Sequence, residues 1–165
     1  MKGAIGTEPT YVFQDALYIK GIAARTTNER EARGEGKIPG LWERFFTTDV
    51  SGRAKAVKNP HLTYTLYANY ENGAAGEYTV LIGHESEAGE AEEGMEVISV
   101  PAAKYAVFTS ERGPVGAVVT EAWKRIWEWS ATSQERRTFT GDFELYDARD
   151  FDPQNAVVRI YVAVE

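Results

Sequence analysis

The sequence predicts an α+β fold in which one strand–helix–strand–strand unit is written twice. Three observations predict it. Apolar periodicity switches between the strand and helix repeats in the same order in both halves of the 165 residues, with a period of about 80. Short motifs recur inside the repeat: Leu41-Trp42-Glu43-Arg44-Phe45 is echoed by Ala122-Trp123-Lys124-Arg125-Ile126, and Leu66-Tyr67 by Leu145-Tyr146. Finally, both helix-period stretches are apolar on one face only, and such a stripe needs a sheet to cover it.

In the first repeat, about residues 10–85, an apolar run at Tyr11 to Ala24 reads as a strand. The helix at Ile38 to Phe46 sets Ile38, Leu41, Trp42, Phe45 and Phe46 against Glu43, Arg44, Thr47 and Thr48, with Pro39 near its start. Two β-rich runs follow, Leu62 to Tyr70 and Tyr78 to Gly83. The connection from Glu85 to Gly94 is Glu, Ala and Gly with little else, and reads as a solvated linker with no packing demand. In the second repeat, about residues 95–165, Val97 to Thr109 is strand-like and Val115 to Ser130 is the clearest helix. Its stripe is Val115, Val118, Val119, Ala122, Trp123, Ile126 and Trp129, and Pro114 suits its first turn. Phe143 to Ala148 and Val157 to Val164 close the pattern.

Composition narrows the function classes. With 43% hydrophobic residues the chain can bury a sizeable core, and the whole length is expected to form one domain. A net charge of −7 disfavours nucleic acid, whose backbone is bound through basic clusters. There is no cysteine and only two histidines, His61 and His84, so thiol chemistry is absent, and no metal or other cofactor is expected. Both histidines sit at strand ends and read as exposed, and no nucleophile–base pairing or phosphate-binding fingerprint is evident. No stretch is long enough for a membrane span, and Met1 to Pro9 lacks the regions of a signal peptide; the expected location is the cytoplasm.

Side chains alternate along a strand, so Phe143 and Leu145 share one face while Glu144 and Tyr146 share the other. If Phe143 and Leu145 meet the helices, the surface opposite them carries Glu144, Tyr146 and Tyr67, and Tyr161 can join. Such a group suits a hydrophobic organic cation: aromatic faces attract positive charge and a carboxylate pairs with it. The same alternation also describes an ordinary half-wet sheet with a solvent-facing glutamate, and periodicity alone leaves both readings open. Trp42 and Trp123 point to the sheet and read as core; Trp127, one turn on, is placed to close one end of a pocket.

Several stretches together resemble the GyrI-like small-molecule-binding domain, shared by the effector-binding halves of AraC-type and MerR-type multidrug regulators. They are Leu66-Tyr67-Ala68-Asn69-Tyr70-Glu71, Glu77 to Gly83, Val100 to Thr109, Trp123 to Trp129, Asp142-Phe143-Glu144-Leu145-Tyr146 and Arg159-Ile160-Tyr161-Val162. The sequence is most similar to the stand-alone integron-cassette and YdeE-like branch. The resemblance implies two βαββ units related by a pseudo-two-fold axis, an antiparallel sheet with two main helices on one face, and a ligand cleft between the halves. It further implies that Glu144 contacts cationic drugs. Tyr67, Tyr146, Trp123, Trp127, Phe108 and Tyr161 are placed in the site by position, not by motif. Regulators set a helix-turn-helix beside this domain; here the repeat runs from about Tyr11 to Glu165, and no DNA-binding module is expected.

Three functions follow. The first is a binding protein that senses or sequesters hydrophobic cationic aromatic compounds. The second is a hydrolase that opens cyclopropane-bearing DNA-alkylating natural products, with Glu144 positioning or deprotonating water. The third is a gyrase-type modulator acting on a topoisomerase or a separate regulator, in which the acidic stretch from Glu85 to Glu96 imitates nucleic acid charge. Exposed edge strands leave a homodimer open.

Overall fold

The computed structural model describes residues 9–73, 75–87 and 89–165; Met1 to Glu8, the bulk of the segment tested for a signal peptide, lies outside them, as does one residue of the linker. Among the described residues eight strands form one sheet: β1 (Thr10–Gln14), β2 (Leu17–Thr27), β3 (Leu62–Ala68), β4 (Glu77–Ser86), β5 (Glu96–Val100), β6 (Ala103–Thr109), β7 (Asp142–Asp147) and β8 (Arg159–Val164). Their order is β1-β6-β8-β7-β3-β4-β2-β5, and every neighbouring pair is antiparallel. The helices are α1 (Asn28–Ala32), α2 (Ile38–Thr47), α3 (Val50–Arg53) and α4 (Val115–Thr132). The sequence pattern marks α2 and α4; α1 and α3 are too short to show a period. No described helix is long and apolar enough to cross a membrane.

The strand order reads the same from both ends once β1 is matched with β5, β2 with β6, β3 with β7 and β4 with β8. Register extends the match to single residues. Lys20 faces His84 across β2·β4 as Ala106 faces Val162 across β6·β8, and Tyr64 faces Leu145 across β3·β7 as Phe143 faces Leu66. The pseudo-two-fold therefore passes between Thr65 and Glu144, which are direct partners at the central seam. What the sequence shows as one strand at the head of each repeat is two. The chain turns a corner after Gln14 and again after Val100; β1 then pairs with β6 of the other half, and β5 with β2.

Both sheet faces are buried, which corrects the expected placement of the site. On one face, Leu41, Phe45 and Val50 pack on Ile22, Val80 and Ile82, and Ala122 and Ile126 of α4 pack on Ala106, Phe108, Ile160 and Val162. On the other, Ile19, Tyr64, Leu66, Leu81, Val100, Tyr105, Phe143 and Ala163, joined by Val12, form one cluster to which all eight strands and, among the described residues, no helix contribute. A sheet can bury that face without helices only by curling on itself. Gly21 and Gly83 stand opposite one another, and a Cβ on Gly21 would lie 2.0 Å from the Ile82 carbonyl oxygen, so the strands close up where side chains are missing. Phe143 and Leu145 face this self-closed core, and Glu144 and Tyr146 face the helices. Period two shows which residues share a face, not which face the helices take.

The linker is also more engaged than its composition suggests. β4 continues through Ser86, and Glu92 accepts hydrogen bonds from Lys20 Nζ at 3.2 Å and the Lys55 amide at 3.0 Å, docking the loop on a lysine that is fully buried.

Candidate functional site

Glu144 sits in the second layer of β7, where α2 and α4 lie over the two halves of the sheet, and is 2% exposed. Its neighbours come from both repeats. The Tyr67 hydroxyl on β3 donates to Oε2 at 2.6 Å, Trp123 Nε1 on α4 donates to the same oxygen at 2.8 Å, and the Tyr146 hydroxyl donates to Oε1 at 2.6 Å. The rings cross the seam in matched fashion. Trp42 of α2 meets Tyr146 edge-on at 5.4 Å, and Trp123 of α4 meets Tyr67 edge-on at 5.5 Å. Each helix thus supplies one indole against the tyrosine of the opposite half. The geometry follows from the helix stripes: Trp42 and Leu41 on α2, and Trp123 and Ala122 on α4, occupy corresponding positions, so the smaller or fully buried neighbour seats the helix and the indole leans toward the axis.

Outside these rings lies a second, more exposed layer. Phe46 stacks on Trp42 at 5.9 Å, Phe151 meets Tyr146 at 5.8 Å, and Trp127 lies 6.4 Å from Trp123. Phe46, Phe151 and Trp127 are 70%, 39% and 42% exposed.

Burial pushes the Glu144 carboxyl above its ordinary value of 4.5, and the three hydrogen bonds from Tyr146, Tyr67 and Trp123 oppose that rise without cancelling it. Burial and the adjacent carboxylate likewise hold both tyrosine hydroxyls well above the usual range, so they remain donors. None of the ion pairs among the described residues includes Glu144. Two residues earlier on the same strand, Asp142 is equally buried but differently served: Arg137 pairs with it at 2.7 Å, while the Tyr70 hydroxyl and the Ala163 amide also donate to it.

The other residues placed here from sequence divide. Trp127 reaches the edge of the cluster and also lines a cavity of about 430 Å³ with Asn28, Ser130, Ala131, Arg137 and Phe139. Phe108 does not reach it: on β6 it lies beneath α4, edge-on to Trp129 at 5.1 Å, within the core. Tyr161 is on the other face, stacked on Phe143 at 4.6 Å, because its strand position pairs it with Phe143 and not with Glu144. Trp42, read as core, belongs to the cluster, and the Trp-x-Arg echo between the helices is the signal that marks it. His84 is not exposed but fully buried. No group of three or more metal-ligating side chains occurs among the described residues.

The family described as integron-associated effector binding protein, Cass2, matches residues 12–164, nearly the whole chain. The chain is a Cass2 protein. A relative from Bacillus subtilis, the putative transcriptional regulator protein YobU, is 41% identical over 152 residues, covering 92% of this chain and 94% of its own length. The Pseudomonas aeruginosa transcriptional regulator BrlR is 32% identical over 139 residues, which is 78% of this Cass2 chain and 48% of BrlR. Among solved structures, an integron cassette protein from the mobile metagenome of Vibrio cholerae superposes with a TM-score of 0.72 at 25% identity, covering 96% of both chains. The SAV2435 protein bound to tetraphenylphosphonium superposes with a TM-score of 0.77 at 20% identity, covering 96% of this chain and 94% of that one. The α+β architecture of the Cass2 chain, with its antiparallel sheet, is shared with these solved structures.

Proposed function

We propose that this Cass2 protein binds hydrophobic organic cations between α2 and α4, with Glu144 as their anionic partner, and so senses or sequesters aromatic drug-like compounds. One observation carries the reading: a carboxylate buried among aromatic rings, served by three neutral donors and, among the described residues, paired with no cation. A buried acid kept for structure takes a charged partner, as Asp142 takes Arg137. Glu144 instead holds only groups that can turn aside, since two hydroxyls and one indole N–H can leave a carboxylate without leaving a bare charge behind.

A cation entering the cluster supplies what is missing. Its charge offsets the desolvation of the carboxylate, and Trp42, Trp123, Tyr67 and Tyr146 offer ring faces to it, each contact worth about 0.5–2 kcal/mol. The exposed rings of Phe46, Phe151 and Trp127 give an aromatic ligand its first apolar footing on the way in. Tetraphenylphosphonium, the compound bound to SAV2435, has this chemistry: one delocalised charge wrapped in phenyl rings.

The test is a titration of native tryptophan fluorescence with cationic, neutral and anionic aromatic compounds of matched size. Tight binding of the cation, weak binding of the neutral compound and none of the anion are expected. Equal affinity across the three would remove Glu144 from the account, and saturable preference for the anion would reverse it.

A further inference from the structure

The helix face of the first repeat carries a second polar constellation, apart from Glu144. His84 on β4 is fully buried, and its Nδ1 lies 2.8 Å from the Leu62 carbonyl oxygen while its Nε2 lies 2.8 Å from Ser51 Oγ on α3. A carbonyl oxygen can only accept, so Nδ1 carries the proton. Burial depresses the imidazole below its ordinary 6.5, leaving it neutral, and Nε2 then has a free lone pair. The Ser51 hydroxyl must therefore donate to it.

That is the geometry of a nucleophile held by a general base whose tautomer is fixed by a third group. Ser51 is exposed, while Val50 beside it is fully buried and anchors the short helix. The base is thus shielded, while the residue that carries the hydroxyl is exposed. Two non-glycine residues, Asp49 and Ala56, hold left-handed backbone (φ 52° and 61°) on either side of the segment.

The duplicated fold supplies its own control. By strand register Lys20 and His84 of the first repeat correspond to Ala106 and Val162 of the second, and both of those are fully buried apolar residues. The architecture closes with hydrocarbon at these positions. A buried imidazole is the costlier choice, and its hydrogen bond to an exposed serine is what the first repeat gains from it.

We propose that Ser51 and His84 form a nucleophilic dyad that reacts with activated esters and related acyl or phosphoryl electrophiles. Ser51 Oγ bonds to the ester carbonyl carbon as its hydroxyl proton passes to His84 Nε2. The carbon–oxygen bond to the alcohol breaks and the alcohol departs with that proton. Water, deprotonated by the same nitrogen, then cleaves the acyl–Oγ bond, releasing the acid and restoring both residues. A fluorophosphonate would stop at the first stage, losing fluoride and leaving phosphorus on Ser51.

The experiment treats the full chain with a fluorophosphonate probe and locates adducts by peptide mass mapping, with p-nitrophenyl acetate turnover read in parallel. The expected result is one adduct at Ser51, absent in Ser51→Ala, whose formation slows as pH falls through a midpoint below 6.5. In His84→Gln labelling should drop by about a hundredfold, the usual scale of general-base assistance. Adducts scattered over other hydroxyls, or a Ser51 rate in the wild-type protein that does not respond to pH, overturn the dyad even if His84→Gln fails to fold. Ser51→Ala should bind tetraphenylphosphonium as the wild type does, so this proposal and the Glu144 reading fail separately.

Discussion

Replacing Glu144 by glutamine isolates the charge from the shape. The carboxamide keeps the volume of the side chain and can still accept from Tyr67 and Trp123 at the Oε2 position, while the Tyr146 hydroxyl can turn to accept from the new amide. Two opposing terms then set stability. Three charge-assisted hydrogen bonds become neutral ones, a loss of about 1 kcal/mol each. Against this, a carboxylate no longer has to be desolvated, and that cost is several kcal/mol per buried ion. Because burial outweighs the hydrogen bonds at Glu144, the variant should be as stable as the wild type or more so at neutral pH.

Binding should move the other way. Two unit charges about 5 Å apart, at an effective dielectric of about 20, attract by roughly 3 kcal/mol. That is about a hundredfold in affinity. Titration of tryptophan fluorescence with tetraphenylphosphonium should therefore show Kd rising by about that factor, with triphenylphosphine oxide, an uncharged analogue, changing less than about threefold. Equal losses for the charged and uncharged probes, or a drop in melting temperature large enough to explain both, would refute the electrostatic role.

Cation affinity should also depend on pH in a stated direction. Glu144 must be ionised to pair, and its carboxyl lies above 4.5, so affinity measured by calorimetry should fall as pH drops through that raised value. The stability of the free protein has the reverse sign: the contribution of protonated Glu144 is present below 4.5 and is lost as pH rises through the folded value. Tyr67→Phe removes one donor and should carry the affinity midpoint to higher pH. Asp142→Ala leaves Arg137 buried without its acid and should cost about 3–5 kcal/mol in chemical denaturation. Ile126→Ala, a fully buried position on α4, should cost about 2–5 kcal/mol in the same assay.

Much of the architecture is legible in the sequence because each long element carries a clean period. The stripe from Val118 through Ala122 to Ile126 is the buried face of α4, and Leu41 and Phe45 are the buried face of α2. The exchange of β1 and β5 is not legible, because Asp15-Ala16 and Pro101-Ala102 interrupt apolar runs without saying where the chain goes next. At the candidate site, Glu144, Tyr67, Tyr146 and Trp123 come together as alternation and resemblance suggest, but on the helix side. The inversion has a physical cause: a curled sheet buries Phe143 and Leu145 without any helix, so an apolar row does not point to the helices. Strand alternation groups Tyr161 with Arg159 but does not show which sheet face the pair takes, and only the pairing of β7 with β8 sets it opposite Phe143. Ser51 and His84 are 33 residues apart, and no local pattern links a four-residue helix to a strand end.

The seam between Thr65 and Glu144 has one more consequence. Whatever stands on the symmetry axis of two identical subunits stands there twice, and two carboxylates set face to face would repel and force one to keep its proton. Joining the halves in one chain lifts that restriction. A single acid can occupy the midpoint, with a small hydroxyl as its opposite number and walls related by the near two-fold on either side. The scaffold is near-symmetric in its aromatic walls and asymmetric at the one carboxylate between them.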